Sequence, residues 1–293
     1  MSIKSLLIPT LNQAPKRSRL PRFEAGTAIP RIIHQTFYDR TLPEPLQANV
    51  ARLRALNPGW EYRFYDDADI AAFIQANYPP LLWDYYQRID QRYGAARADL
   101  FRYLLMYKVG GVYLDIKSAA TRPLDDVIRP DDRFLLSTWG ADTNGWGHHY
   151  ALRNLPHGEF QQWYIACAPG HPFLKEVIDT VLCNIERYDP HLHRVGKNGV
   201  LSVTGPIAYT LAIHRVLAGH PHRIVDSAGE LGFEYNVYRN QSHETTFRSH
   251  YSTQTAPVVK LGFARRNLSH LYGLLQYLHD LRVGAPDVGK AAK

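Results

Sequence analysis

Residues 96–118, ARADLFRYLLMYKVGGVYLDIKS, decide the fold. Apolar side chains recur at helical spacing along one side of the first part, at Leu100, Leu104, Met106 and Tyr107. Gly110 and Gly111 then end the helix, because glycine adopts the backbone conformations that close a helix at little cost. The apolar run after the glycines has the length of a buried strand, and it ends at Asp115. A long helix that passes through a glycine turn into such a strand predicts an α/β protein.

The residues before this segment continue the alternation. Two stretches predict strands, IPRIIHQTF at 29–37 and WEYRFYDD at 60–67. EPLQANVARLRALNPG at 44–59 predicts a helix that stops at Asn57-Pro58-Gly59, and DADIAAFIQANY at 67–78 predicts another, with Asp66 or Asp67 as its cap. This order predicts a parallel sheet flanked by helices, with a site at the carboxyl ends of its strands.

The remaining chain predicts one strand and three long helices. The strand is RFLLSTWG at 133–140, and the helices cover residues 171–188, 205–219 and 267–283. The last helix carries a stripe of leucines, which favours core packing, with a membrane-surface or partner helix as the alternative. We expect a mobile basic segment over 1–28, a single domain over 29–283 and a frayed tail over 284–293.

The composition is that of a globular protein with a basic excess. The 293 residues are 45% hydrophobic and 21% charged, with a formal net charge of +7. Apart from KRSRLPR at 16–22, the basic residues are spread along the chain, which favours phosphorylated or anionic partners and indicates no nucleic-acid partner. With two cysteines and no apolar run of signal-peptide or transmembrane length, we expect a cytoplasmic protein, in peripheral contact with the inner membrane face at most.

Three acidic and basic residues of the deciding segment suggest a polar site. Asp99 and Arg102 are three positions apart on a helix, so they share a face, and a local ion pair is the simplest interpretation. The same helix leads to the strand that ends at Asp115, so the helix face and the strand end can converge on one cleft. A sugar nucleotide requires carboxylate acceptors for its hydroxyls and a cation for its diphosphate. No motif of a nucleophile-elbow hydrolase, a P-loop NTPase or a Rossmann dehydrogenase is present.

Four segments together resemble glycosyltransferase family 32. They are IPRIIHQTF, NPGWEYRFYDD, ARADLFRYLLMYKVGGVYLDIKS and TGP at 204–206. This family is the group with a sugar-binding region containing a DXD motif, related to yeast mannosyltransferases and to bacterial capsule and lipopolysaccharide enzymes. The resemblance is strong over residues 29–125 and looser elsewhere. It implies a GT-A fold with a Rossmann-like, mostly parallel sheet and a helical C-terminal part, a nucleotide-sugar donor, and retention of anomeric configuration.

The resemblance also implies roles for individual residues. At the ends of the first two strands it places the nucleotide-facing residues His34, Gln35, Thr36, Tyr65 and Asp66. Ribose and donor sugar would be held by Asp99 and Arg102, and Asp115 corresponds to the first Asp of the DXD motif. Thr204 and Gly205 would face the donor, although the residues alone predict a helix start there, with Thr204 as cap.

Lys117 departs from the family pattern, because it stands where the second Asp of the DXD motif is expected. In one hypothesis, its ammonium group contacts the diphosphate and replaces part of the charge of a metal. In the other, Mn²⁺ or Mg²⁺ still binds, held by Asp115 and by His243 or His250. A salt bridge between Lys117 and Asp115 is the structural alternative. We favour reduced metal dependence, because one carboxylate and one histidine are few ligands for Mg²⁺.

These observations predict a retaining hexosyltransferase that acts on a hydroxyl of a glycan or lipid-linked acceptor in cell-surface polysaccharide synthesis. Asp115, Lys117 and Arg102 are the expected catalytic residues, and the leaving phosphate would take the proton of the acceptor hydroxyl. The loop at 137–150, STWGADTNGWGHHY, is either an acceptor-side lid or a surface loop, and its two histidines lack a third ligand for zinc. The alternatives are an effector-type glycosyltransferase that modifies a protein and a non-catalytic module that binds sugar nucleotides or glycans.

Overall fold

A six-stranded mixed sheet carries the site. The computed structural model describes residues 8–139, 147–238 and 253–283. The strands are β1 (Ile32–Thr36), β2 (Glu61–Tyr65), β3 (Gly111–Leu114), β4 (Ala119–Ala120), β5 (Phe134–Leu136), β6 (Tyr164–Cys167), β7 (Arg223–Ile224) and β8 (Phe233–Glu234). The large sheet has the order β2-β1-β3-β6-β5-β7, and β4 pairs with β8 apart from it.

Helices pack around this sheet. They are α1 (Glu44–Leu56), α2 (Asp67–Asn77), α3 (Pro80–Arg88), α4 (Gly94–Val109), α5 (Leu124–Val127), α6 (Pro172–Arg187), α7 (Pro190–His193), α8 (Gly196–Val203), α9 (Pro206–Val216) and α10 (Phe263–Val283), with short 3₁₀ turns at Tyr150–Leu152 and Leu217–Gly219. The main core joins α4, α6 and α9 to one face of the sheet. The predicted fold class, an α/β GT-A type sheet with a helical C-terminal part, is confirmed.

The turn from α4 into β3 requires glycine at both positions. Gly110 has φ of 70° and Gly111 has φ of 103°, in the region that side-chain-bearing residues avoid. A Cβ atom on Gly111 would lie 2.6 Å from the carbonyl oxygen of Ile32, so β1 approaches the turn too closely for any side chain. This close approach lets β3 pair in parallel with β1 at the centre of the sheet, where β3 is fully buried.

The strand β6 runs antiparallel to β3. Tyr164, at its start, pairs with Leu114, at the end of β3. The backbone N–H of Asp115 then donates to the carbonyl oxygen of Trp163 at 2.9 Å. The residues just before β6 therefore lie beside the carboxyl end of β3, and they belong to the same edge of the sheet as Asp115.

The predicted element order holds for the first half of the chain, with one helix missed. The missed helix is α3, in which Pro80 occupies the first turn, where a missing backbone N–H costs nothing. Asp66 is the cap of α2, and it accepts from the backbone N–H groups of Ala68 and Asp69.

The N-terminal segment differs from the expected mobile lead-in over the part that is described, residues 8–28. It forms no helix or strand, yet it lies against the body of the fold. The backbone N–H of Asn12 donates to Asn184 Oδ1 at 2.8 Å, Arg19 pairs with Glu186 at 2.7 Å, and Leu20 is buried. Its polar and apolar side chains thus find fixed partners along α6. The tail at 284–293 lies outside the described residues.

Two apolar helical regions bear on membrane contact. Gly196–Gly219 is long and apolar enough to cross a membrane, but 56% of its most apolar window is buried inside the fold, and α9 packs against α6 as core helices do. In α10, the predicted core packing of the leucine stripe is wrong. Ser269 and Tyr272 face the protein, whereas Leu271, Leu274, Leu275 and Leu278 are 46–54% exposed.

Candidate active site

A cavity of about 510 Å³ opens at the carboxyl ends of β1 and β3. It is within the size range of small-molecule sites. Its lining combines both halves of the chain and includes Thr36, Asp99, Arg102, Asp115, Lys117, Trp139, Gln162, Trp163, Gly205 and Tyr235. The fold therefore brings together the acidic and basic residues that the sequence singled out.

Arg102 joins two carboxylates at the floor of the cavity. Its Nη1 donates to Asp115 Oδ1 at 2.8 Å and to the carbonyl oxygen of Gln162 at 3.0 Å, and its Nη2 donates to Asp99 Oδ1. The side chains of Arg102 and Asp99 are 5% and 3% exposed, whereas that of Asp115 is 24% exposed. Asp115 is thus the member of this ion-pair network that a ligand can reach.

The charge on Arg102 is stabilised by its neighbours. Burial alone would lower the pKa of the guanidinium, but the carboxylates of Asp115 and Asp99 outweigh it and hold the pKa well above the ordinary value. A buried charge of this kind is retained only when hydrogen bonds satisfy it. Arg102 is therefore a fixed positive group beneath the partly exposed carboxylate of Asp115.

Asp99 acts inside the protein. Thr204 Oγ1 donates to its Oδ2 at 2.8 Å, and Gln162 Nε2 donates to its Oδ1 at 3.3 Å. Tyr103 in turn donates to the carbonyl oxygen of Thr204 at 2.9 Å. Both carboxylate oxygens are engaged by protein donors, so Asp99 and Thr204 position Arg102. Of the predicted TGP residues, Gly205 lines the cavity and Thr204 stays buried beneath it.

Lys117 lies in the cavity wall beside Asp115. Its Nζ is 3.1 Å from the hydroxyl of Tyr235 and 4.3 Å from the centre of that ring. Burial lowers the pKa of Lys117, the nearby Arg102 lowers it further, and Asp115 opposes both. An anion bound in the cavity would stabilise this partly desolvated ammonium group.

The described residues do not by themselves form a metal site. Over residues 8–139, 147–238 and 253–283 no three histidine, cysteine or carboxylate side chains are grouped as ligands. Asp115 Oδ1 already accepts from Arg102 and from Tyr113 at 3.2 Å, which leaves one carboxylate oxygen beside two cationic side chains. Mn²⁺ and Mg²⁺ prefer several oxygen ligands. The other predicted ligands, His243 and His250, lie outside the described residues.

Four residues expected to face the nucleotide are placed away from the cavity lining. His34 is fully buried, with Nε2 donating to the carbonyl oxygen of Gly110 at 2.9 Å, and burial lowers its pKa to about 4. Gln35 accepts from Tyr62 at 3.0 Å, and the hydroxyl of Tyr65 donates to His34 Nδ1 at 3.2 Å. Asp66 caps α2 and pairs with Arg40. Thr36, at the end of β1, is the residue of this group that lines the cavity.

Sequence reasoning missed several lining residues in the second half of the chain. Glu159 Oε1 accepts from Trp139 Nε1 at 2.6 Å, and its Oε2 lies 2.7 Å from His149 Nε2. In the first half of the chain, Arg97 and Tyr86 also line the cavity, and the guanidinium of Arg97 lies 4.5 Å from the centre of the Tyr86 ring. The loop at 137–150 drew attention through its Trp and His content, but Glu159 and Tyr235 stand in no motif.

A family model agrees with the first half of this site. Residues 43–135 match the model described as the glycosyltransferase sugar-binding region containing the DXD motif. The matched range contains the four charged residues of the cavity floor and wall, which are Asp99, Arg102, Asp115 and Lys117.

Curated relatives include mannosyltransferases of yeasts. Inositol phosphoceramide mannosyltransferase 3 of Schizosaccharomyces pombe is 32% identical over 156 residues, which cover 52% of this chain and 37% of the relative. The initiation-specific alpha-1,6-mannosyltransferase of the same yeast is 30% identical over 203 residues, 63% of this chain and 48% of the relative. The chain thus spans less than half the length of these relatives.

A solved structure shares the fold. The UDP-bound glycosyltransferase domain from the YGT toxin superposes with a TM-score of 0.53 over 86% of this chain and 91% of that domain, at 9% sequence identity. Such a likeness establishes the GT-A architecture.

Proposed function

We propose that this chain, whose family match and mannosyltransferase relatives support its assignment to glycosyltransferase family 32, transfers a hexose from a nucleotide-diphosphate sugar to a hydroxyl group. The observation that carries the proposal is the Arg102 bridge between Asp99 and Asp115 at the floor of a cavity of substrate size. Because the two yeast relatives named above are mannosyltransferases, mannose is the first donor sugar to test.

In the proposed reaction, Asp115 holds the donor sugar. Its partly exposed carboxylate accepts hydrogen bonds from sugar hydroxyls, while Arg102 fixes its orientation from below. The reacting carbon is thereby kept in line with the leaving diphosphate. Arg102 serves as a positioning and charge-balancing group, since its guanidinium is almost fully buried.

Lys117 supplies positive charge to the leaving group. As the bond between the sugar and the diphosphate breaks, negative charge grows on the phosphate oxygens, and a preformed ammonium group stabilises that charge. We propose that this contribution reduces the dependence on Mn²⁺ or Mg²⁺, which would otherwise supply the charge when bound. The acceptor hydroxyl attacks from the face that the diphosphate leaves, so configuration is retained, and the leaving phosphate takes the proton.

We further propose that the acceptor is a glycan or a lipid-linked sugar and that the reaction takes place in the cytoplasm at the inner membrane face, in cell-surface polysaccharide synthesis. The support is the outer face of α10. Phe263 is 81% exposed and Leu274 is 54% exposed, while the exposed Arg266 and Lys260 stand near the start of the helix. An apolar helix face with basic residues beside it suits an anionic lipid surface.

The test begins with a thermal-shift screen of GDP-mannose and of UDP-, CMP- and dTDP-sugars, each in EDTA and in Mn²⁺. A ligand that binds the folded state raises the melting temperature, so the screen reports both the donor and the effect of metal. Turnover of the best donor is then measured for the wild type, for Asp115→Asn and for the surface control Asp131→Asn.

We expect Asp115→Asn to lose at least ten-fold in turnover and Asp131→Asn to match the wild type. Full activity of Asp115→Asn would reject the site. Donor binding with no turnover under any condition would instead indicate the non-catalytic module. Label transferred from the donor to lysate proteins rather than to glycolipid would favour the effector-type enzyme.

A further inference from the structure

A histidine–carboxylate pair lies in the second half of the cavity wall. His149 Nε2 is 2.7 Å from Glu159 Oε2, and Trp139 Nε1 donates to the other carboxylate oxygen at 2.6 Å. Glu159 is 7% exposed, whereas His149 is 25% exposed, and all three residues line the cavity that contains Asp115. The carboxylate is therefore the buried support, and the imidazole is the reachable group.

The pairing fixes which nitrogen of His149 can meet a ligand. A neutral imidazole that donates from Nε2 to a carboxylate presents a lone pair at Nδ1. Within the described part of the chain, the Nδ1 atom of His149 makes no hydrogen bond. A hydroxyl group is a natural donor to such a nitrogen, so the pair is suited to bind and orient an alcohol.

The position of this pair is on the acceptor side of the reacting groups. Lys117 Nζ meets the hydroxyl of Tyr235, and the Tyr235 ring contacts Trp139 edge to face at 5.5 Å. The wall thus runs from Lys117 through Tyr235 and Trp139 to His149. The nucleotide is expected at the carboxyl end of β1, where Thr36 lines the cavity, so this stretch of wall is left for the acceptor.

The same wall has the character of a sugar-binding surface. It contains three aromatic side chains, Trp139, Trp163 and Tyr235, the last two with ring centres 5.6 Å apart. Trp163 Nε1 is buried and has no hydrogen-bond partner among the described residues. Leaving a buried donor unpaired is unfavourable, and a ligand oxygen would satisfy it. Aromatic faces combined with a few polar atoms suit the apolar and hydroxylated sides of a pyranose ring.

We propose that His149, supported by Glu159 and Trp139, forms the acceptor subsite, which binds a hexopyranoside by accepting a hydrogen bond at Nδ1 from a ring hydroxyl other than the one that receives the transferred hexose. The inference rests on the proposed function and deepens it by naming the acceptor class. His149 contacts the acceptor directly, and Glu159 and Trp139 are positioning residues. Anchoring the ring in this way directs the receiving hydroxyl toward the donor sugar, and its proton remains available to the leaving phosphate.

The experiment separates transfer from hydrolysis. The full chain is incubated with GDP-mannose or UDP-glucose and with methyl α-D-mannopyranoside or methyl β-D-glucopyranoside as acceptor. Both the disaccharide product and the free hexose are measured in the same reaction. The variants are His149→Ala, His149→Gln and Glu159→Gln, and the matched control is His148→Ala, since His148 is the exposed neighbour outside the cavity lining.

We expect His149→Ala to lower the ratio of transfer to hydrolysis at least ten-fold and to raise the acceptor KM. His149→Gln recovers several-fold, because its amide oxygen accepts the same hydrogen bond, and Glu159→Gln shows an intermediate loss. His148→Ala keeps the wild-type ratio. A parallel fall of transfer and hydrolysis in His149→Ala, or an unchanged ratio, would overturn the inference.

The acceptor subsite is also tested without turnover. Ligand-observed NMR of each methyl hexoside is recorded in the presence of GDP or UDP for the wild type and for His149→Ala. Binding that disappears in His149→Ala supports the subsite even if the wild type turns over no donor, which would count against the proposed function alone. A wild type that neither binds the hexosides nor transfers sugar to them overturns the acceptor subsite.

Discussion

Thr204 and Asp99 are joined by a 2.8 Å hydrogen bond that links the start of α9 to the middle of α4. The bond occupies the carboxylate oxygen of Asp99 that Arg102 leaves free. Replacing Thr204 by Val keeps the shape but leaves that buried oxygen unsatisfied, which costs about 1–3 kcal/mol. We expect Thr204→Val to lower the free energy of unfolding in urea by this amount and to reduce turnover, because Arg102 loses a fixed partner.

Thr204→Ser is the matched control for this bond, since it retains the hydroxyl and removes a methyl group. It should keep most of the turnover. Equal turnover in Thr204→Val and Thr204→Ser would show that the hydrogen bond does not position the site.

The charge of Lys117 predicts how the enzyme responds to metal removal. We expect the wild type to retain most of its turnover in EDTA and Lys117→Met to lose at least ten-fold, because the methionine keeps the length and loses the ammonium group. Lys117→Asp restores the DXD spacing and should become active only with added Mn²⁺. Lys260→Met, an exposed lysine beyond the cavity, is the control. Wild-type activity that vanishes in EDTA and returns with Mn²⁺ would contradict this role.

The buried His34 predicts loss of stability in acid. Burial lowers the pKa of its imidazole from 6.5 to about 4, so the unfolded chain takes up a proton over this range that the folded chain does not. The contribution of the neutral His34 to stability is complete above pH 6.5 and is lost as the pH falls to about 4. Over this range the free energy of unfolding should decrease by roughly 3 kcal/mol. The free energy of unfolding, measured in urea at several pH values, should change less steeply with pH in His34→Gln than in the wild type.

In His34→Gln, the pH dependence of the free energy of unfolding should weaken without vanishing, because burial also lowers the pKa of His171 to about 4. His148→Gln, at an exposed position, should leave the slope unchanged. A wild-type slope in His34→Gln would mean that the imidazole is not held neutral in the fold.

The exposed face of α10 predicts binding to anionic vesicles. We expect Leu274→Glu combined with Leu278→Glu to reduce co-sedimentation with phosphatidylglycerol vesicles at least ten-fold, since charged side chains would enter the apolar contact. Leu81→Glu is the matched control, because Leu81 is 46% exposed, as Leu278 is, but lies on α3. Failure of the wild type to bind such vesicles would remove the membrane proposal and leave the transferase site unaffected.

The sequence predicts the part of the site whose residues lie close together along the chain. The α4–glycine–β3 segment sets both its own structure and the approach of Arg102 to Asp115, which are 13 positions apart. His34 and Gln35 do not reach the cavity because they precede the end of β1, where Gly110 and Tyr62 engage them, whereas Thr36 at the strand end lines the cavity.

The cavity wall that runs from Lys117 through Tyr235 to His149 depends on contacts that no local sequence pattern encodes. Lys117 and Tyr235 meet across 118 positions, and the four residues of β6 are buried throughout, so they show no alternation that would identify a strand. The pair of Glu159 and His149 likewise arises from how the loop before β6 folds back on the sheet. Only tertiary packing brings these groups to Asp115.

The register in which β3 pairs with β6 determines where the carboxylate of Asp115 lies. Leu114 faces Tyr164, and the next peptide, at Asp115, is tied to Trp163. A slip of a single position would turn the carboxylate of Asp115 to the opposite side of the sheet. One residue added inside either strand, in evolution or by engineering, would therefore disassemble the donor site while leaving its composition intact.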